Sequence, residues 1–342
     1  MMDDAKTEQN SALVPRHDTV VILCPEAVTG GPEALHQLAH AINSLGGNAR
    51  LAYFGQGSTL EHGPTAIVGR HSPNPAVAAT YAAYHPVPLV EAPLSEGTLI
   101  VAPEILPEAL LAIPARNRAV WWLSVDNAIS YNPKLNDPGY ANTLIGGSGL
   151  IHFYQSDYAR RFIERYGGSR SAFPLFDYIN PEYLRSAPSQ PQSRRQQIGL
   201  FPQKGAMLAS RFMSANPHLS FAAIQNMTRE QVRQSLLNCS VYIDFGHHPG
   251  KDRVPREAAV SGAIVFLHER GAAASFQDHP LDRFYLFNEE DIDTGSLASR
   301  VAEAISDPER HRALQQVYRQ RILFGCEEFM LQVRTFFFHQ TL

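Results

Sequence analysis

The stretch DFGHHPGKDRVPREAAVSG, residues 244–262, places Lys251, Arg253 and Arg256 within six positions, just after Gly246 and Gly250. Clustered cations attract an anion, and glycines let backbone approach it closely. A helix that begins inside this stretch adds unpaired N–H groups and the positive end of its dipole. Together they describe a cradle for a diphosphate, and Lys204, in FPQKG, is a further cation for it. His247 and His248 are adjacent, so their side chains rarely converge on one ion; a hydrogen bond to phosphate or sugar suits both better than metal ligation. Asp126, in WWLSVDNA, is expected at a strand end, where it acts as a base or anchor for an incoming hydroxyl or simply closes a polar turn. Asp291 and Asp293 have a metal-binding DxD spacing, but they precede a run of helical pattern and read as capping groups.

Such residues need a scaffold that brings strand ends together. Residues 19–24 (TVVILC) form a short β-branched run of the kind seen in buried parallel strands. The loop PEAVTGGPE follows, and then Leu35, Leu38, Ile42 and Leu45 fall on one helical face. Gly46 and Gly47 should end that helix, and residues 48–54 should form the next strand. Further strands are expected at 98–103, 119–125 and 150–156, the last followed by a helix capped by Ser156. Beyond Gln197 the alternation restarts, with strands at 198–202, 219–224, 241–246 and 263–268 and helical segments between them. This grammar predicts an α/β protein built of parallel sheets, with ligands outside the carboxyl ends of the strands.

With these elements in place, residues 244–262 resemble the donor-binding motif of GT-B glycosyltransferases related to the large retaining family that often builds bacterial surface polysaccharides. The resemblance extends from Val20 to Gln320 and is most specific around Glu257. It implies two Rossmann-like domains facing across a cleft, and a nucleotide-sugar donor whose ribose is bound by Glu257. Gly30 and Gly31 match the family's glycine pair, which lets a loop approach donor phosphate or acceptor, and Lys204 matches a basic residue used on the pyrophosphate. The family commonly has a second glutamate near the sugar. That position is Pro249 here, a departure that leaves retaining and inverting chemistry both open. The leaving nucleoside diphosphate gains negative charge, which preorganised cations stabilise. Lys204, Lys251, Arg253 and Arg256 are the candidates; with Asp126, the pair Lys204 and Arg253 forms the expected catalytic set, and His248, Gly250, Lys251, Arg256 and Glu257 line the donor. No metal or other cofactor is then required.

The polar, proline-bearing stretch 186–197 is the expected linker. It divides an N-terminal acceptor domain, 18–185, from a nucleotide-sugar domain, 198–342, whose last helix is expected to cross back; residues 1–17 read as a disordered leader. Lys and Arg total 29 against 33 Asp and Glu, a formal charge of −4, so nucleic acid is not an expected partner. The partners are the donor and a glycan or lipid-linked acceptor, with a peripheral membrane contact compatible with the latter. Three dispersed cysteines argue against a disulfide framework or a cysteine-rich zinc site, and a polar N-terminus without a signal-like run points to the cytoplasm. The expected activity is a metal-independent hexosyl transfer. A noncatalytic GT-B relative is the alternative, favoured by the missing glutamate. A dehydrogenase ranks last, because no GxGxxG follows the first strand.

Overall fold

A computed structural model describes residues 13–185 and 197–340. The linker expected over 186–197 lies outside the described residues apart from Gln197, as do residues 1–12 of the expected leader; Leu13–Pro15 is a short strand paired antiparallel with Phe338–Gln340. The chain divides into two compact units, Met1–Trp121 with Phe329–Leu342, and Trp122–Glu328.

Each half of the strand pattern forms a parallel sheet. The first sheet has six strands in the order Ala172–Pro174, Ile151–Tyr154, Asn117–Trp122, Thr98–Pro103, Thr19–Pro25 and Ala49–Phe54. The second has five, in the order Phe221–Ala223, Ile198–Leu200, Val241–Asp244, Ile264–His268 and Leu286–Phe287. Strands Thr98–Pro103, Val241–Asp244 and Ile264–His268 are buried along their whole length, which is why they read as unbroken apolar runs rather than as an alternation. The division into units falls inside the strand Asn117–Trp122. Residues 122–185 go with the second unit because Gln155, Asp157 and Asp177 bond to residues 251–278 of the same unit.

Helix ends follow local chemistry. Ser156 accepts from Ala159 N at 3.1 Å and caps Asp157–Arg165, as its position predicts. Thr228 and Gln231 form a capping box at Arg229–Asn238. The strand expected at 119–125 instead ends at Trp122, and Ser124 caps a helix, Val125–Tyr131, that carries Asp126 in its first turn. Trp121 and Trp122 are fully buried, with the Trp122 indole donating to His152. Residues 55–93, which have no clear pattern, form a small antiparallel sheet, Thr59–His62, Ala66–Arg70 and Glu91–Pro93, and a helix, Pro75–Tyr81. Buried Glu26 ties this insert to the first strand by accepting from Ser58 Oγ and Asn74 N, both at 2.9 Å.

Candidate functional site

Asp244 ends the central strand of the five-stranded sheet, and helix Arg253–Val260 starts nine residues later. The loop between them is anchored by buried carboxylates. Asp244 accepts from Gly246 N at 2.9 Å and from the Tyr242 hydroxyl at 3.1 Å. Lys204 reaches in from the loop after Ile198–Leu200 and donates to Asp244 at 2.9 Å and to Asp252 at 2.5 Å. Gly246 makes this approach feasible, since a Cβ there would sit 2.5 Å from Lys204 Cε. Burial alone would drive the Lys204 ammonium towards neutrality, but its two carboxylates reverse that and hold its pKa well above the ordinary lysine value. The same contacts act on Asp252: burial pushes its carboxyl up, and Lys204 and His248 bring it far below the usual range.

His248 turns inward. Its ring is fully buried, with Nδ1 3.1 Å from Asp252 and Nε2 3.8 Å from Asp244. Among the described residues Asp244, His248 and Asp252 offer three potential ligand atoms within 4.8 Å of one another, and the Lys204 ammonium lies against both carboxylates of that group. Asp291 and Asp293 do not share a site. Asp291 receives the Asn288 amide and pairs with Arg300, and Asp293 pairs with Arg211. Asp291 thus closes a capping box with Asn288, whereas Asp293, expected to cap as well, is the last residue of that helix, and Gly295 stands at the N-cap of the next one.

The second half of the loop is held from residues 122–177. Val125 N donates to Pro249 O at 2.9 Å. A Cβ on Gly250 would lie 2.1 Å from Leu123 O, so only glycine fits. The Gln155 amide grips Lys251 from both sides, accepting from its N–H at 2.8 Å and donating to its carbonyl at 3.3 Å, while also donating to Asp177 at 2.7 Å. The Lys251 ammonium rests over the Phe176 ring at 4.4 Å, and burial and Arg256 lower its pKa.

Asp177 is the counter-ion of both guanidinium groups. Arg256 donates to its two carboxylate oxygens at 2.9 and 3.0 Å, and Arg253 pairs with it at 3.0 Å. Arg256 is buried and also donates to Asp177 O, Asp252 O and Lys251 O, so each of its three nitrogens is engaged within the protein. Burial raises the Asp177 carboxyl, and the two arginines more than offset it, leaving the pKa below the ordinary value. Glu257 follows on the same helix, partly buried.

Of the residues expected at the site, Lys204, His248, Gly250, Lys251, Arg253 and Arg256 come together around this loop. Asp126 lies beside it, accepting from the Tyr158 hydroxyl at 2.8 Å and 3.5 Å from exposed His247. Gly30 and Gly31 open the helix Gly30–Ser44 of the first unit, behind Thr29, whose side chain makes no capping bond. Gln155, Asp177, Asp252 and Tyr158 were not anticipated. Gln155 is 96 positions from Lys251, and Asp177 is 79 from Arg256, so no local pattern signals them.

No family model and no curated protein sequence matches this chain. Solved structures do. HepE from Anabaena, in complex with UDP-glucose, aligns with a TM-score of 0.62 at 14% identity, covering 93% of this chain and 99% of its own. Sucrose-phosphate synthase from Thermosynechococcus elongatus gives 0.60 at 14% identity over 93% and 98%. A UDP-forming trehalose-phosphate synthase from Burkholderia vietnamiensis gives 0.56 at 13% over 93% and 95%. The chain has the fold of the GT-B glycosyltransferases. In this GT-B chain the loop from Asp244 to Arg253 occupies the carboxyl end of a central parallel strand, where open α/β sheets bind ligands. Among its described residues no helix is long and apolar enough to cross a membrane.

Proposed function

We propose that this protein is a glycosyltransferase that moves a hexosyl unit from a nucleoside-diphosphate sugar to a hydroxyl of a glycan, lipid-linked or other acceptor. The observation that carries the reading is the convergence of Lys204, Arg253 and the glycine-lined loop at one strand end of a GT-B fold. Lys204 and Arg253 share their charge between the carboxylates they now hold and the departing diphosphate, without a metal ion. Lys251 and Arg256 hold the loop's shape. Glu257 takes the ribose, and His248 and Gly250 set the loop beside the sugar. Gly30 and Gly31 present a helix N-terminus to phosphate or acceptor. Asp126 is the carboxylate on the acceptor side. Residues 18–185, which supply the six-stranded sheet, serve the acceptor and 198–342, which supply the five-stranded sheet, the donor, with residues 122–185 belonging to the second compact unit and 329–342 to the first. The reaction belongs in cytoplasmic polysaccharide biosynthesis. The complex of HepE with UDP-glucose makes a uridine diphosphate sugar the first donor to test.

A binding protein without catalysis is the second reading. Pro249 at the family's glutamate position favours it, as do the carboxylate partners of Lys204, Arg253 and Arg256. One experiment separates the two. Calorimetric titration with UDP-, GDP-, dTDP- and ADP-glucose and with NAD is followed by an assay of nucleotide release. Micromolar binding and turnover of one nucleotide sugar support the transferase. Binding without turnover selects the second reading, and binding of NAD alone overturns both. In the active case Lys204→Ala should lower kcat by about 10²-fold, more than it weakens donor binding, because the leaving group is most anionic in the transition state. Chelation should leave the rate unchanged.

A further inference from the structure

Two features meet at His247. The first is the backbone beside it. His248 has a φ of +35°, a left-handed conformation costly for a residue other than glycine and concentrated at functional sites. It is locked there. Ala272 N donates to His248 O at 2.8 Å, and a Cβ on Gly271 would lie 2.1 Å from that oxygen and 2.8 Å from His247 O. The consequence is that the His248 ring goes into the core while the His247 ring stands outside it, 57% exposed.

The second feature is what faces that ring. His247 Nε2 lies 3.5 Å from Asp126 Oδ2, and Asp126 Oδ1 accepts from the Tyr158 hydroxyl at 2.8 Å. Tyr158 is itself tied, its backbone N–H donating to buried Asp278 at 3.0 Å, and burial with Asp126 pushes its phenol up to about 12, so it stays a donor. Ser124 caps the helix that carries Asp126. The carboxylate is thus fixed at one oxygen and offered to Nε2 at the other, which leaves Nδ1 on the far side of the imidazole. An exposed imidazole backed by an oriented carboxylate is the arrangement of a general base.

We propose that His247 takes the proton from the acceptor hydroxyl, with Asp126 and Tyr158 as positioning residues behind it; this rests on the glycosyl-transfer reading above. The acceptor oxygen bonds to the anomeric carbon. The bond from that carbon to the diphosphate oxygen breaks, its electron pair leaving with the nucleoside diphosphate. The hydroxyl proton passes to Nδ1, the Asp126 carboxylate compensates the imidazolium, and the exposed ring returns the proton to solvent.

UDP-glucose, with water as acceptor, provides the assay. In the full-length chain His247→Ala should lower kcat for UDP release by about 10²-fold or more while the Kd for UDP-glucose stays within about two-fold. Added imidazole should restore rate to His247→Ala in a saturable way and leave the wild type unaffected, a response that a structural role does not produce. Asp126→Asn and Tyr158→Phe should each lower kcat with KM unchanged. A His247→Ala enzyme with the wild-type rate overturns the inference, as does a loss that imidazole leaves untouched. Wild-type protein that binds no nucleotide sugar overturns the glycosyl-transfer reading itself, whereas binding and turnover in both forms refutes only the role of His247.

Discussion

Replacing Arg256 with Met tests whether this cation holds the loop or faces a ligand. Its guanidinium donates to both oxygens of Asp177 and to three backbone carbonyls, of Asp177, Asp252 and Lys251, all between 2.7 and 3.1 Å. Arg256→Met removes all of these and leaves Asp177 buried with Arg253 as its remaining guanidinium. Breaking a buried ion pair from one side costs about 3–5 kcal/mol. Because Arg253 still compensates Asp177, the lower end, about 3 kcal/mol, is expected. For a unit of about 200 residues that lowers Tm by roughly 6–12 °C. Asp177→Asn in the same background should recover part of the loss, since the stranded charge is then gone; a coupling of about 1–3 kcal/mol is expected for residues in direct contact. Thermal and urea unfolding of the four proteins of this cycle measure it. A melting temperature within 2 °C of wild type, with donor affinity weakened more than ten-fold, would show that Arg256 serves the ligand and refute the structural assignment.

Three further outcomes are expected. Gly250→Ala should destabilise by about 1–3 kcal/mol, because its Cβ would lie 2.1 Å from the Leu123 carbonyl, while Gly63→Ala, with nothing within 4 Å, should be close to neutral; thermal melts compare them. His36 is buried, and burial drops its pKa to about 4 despite the Pro32 carbonyl, so the unfolded chain binds its proton first as pH falls. Stability is complete above about pH 6.5 and is lost towards pH 4 by about 3 kcal/mol from this residue, so urea titrations at pH 7 and 4.5 should diverge less in His36→Gln. Glu257→Ala should weaken donor binding by about 1–3 kcal/mol by calorimetry if it holds the ribose, and an unchanged Kd removes that role.

The fold was legible because its signals are local. The apolar runs at 98–103 and 241–244 belong to strands buried on both faces, Ser156 sits one residue before its helix, and the glycines at 46 and 262 have the positive φ that helix ends favour. The cluster at residues 244–262 was equally visible, because glycines and cations share one short segment. The antiparallel insert between 55 and 93 was not, since it depends on Glu26, a residue outside it, accepting from Ser58 and Asn74.

By itself the sequence determined the alternation of strands and helices, the strand-end loop and its basic residues, because hydrophobic period, capping and glycine placement act over a few positions. What those basic residues do was decided only by tertiary structure. Arg256 and Lys204 look alike in kind along the chain, yet folding commits Arg256 to Asp177 and Lys204 to Asp244 and Asp252, partners 40 or more positions away, while Gln155 grips the backbone of Lys251. The adjacent pair His247 and His248 is split the same way, one ring buried between Asp244 and Asp252 and the other exposed beside Asp126. Buried charge requires a partner at contact distance, and chain folding, not sequence spacing, chooses that partner.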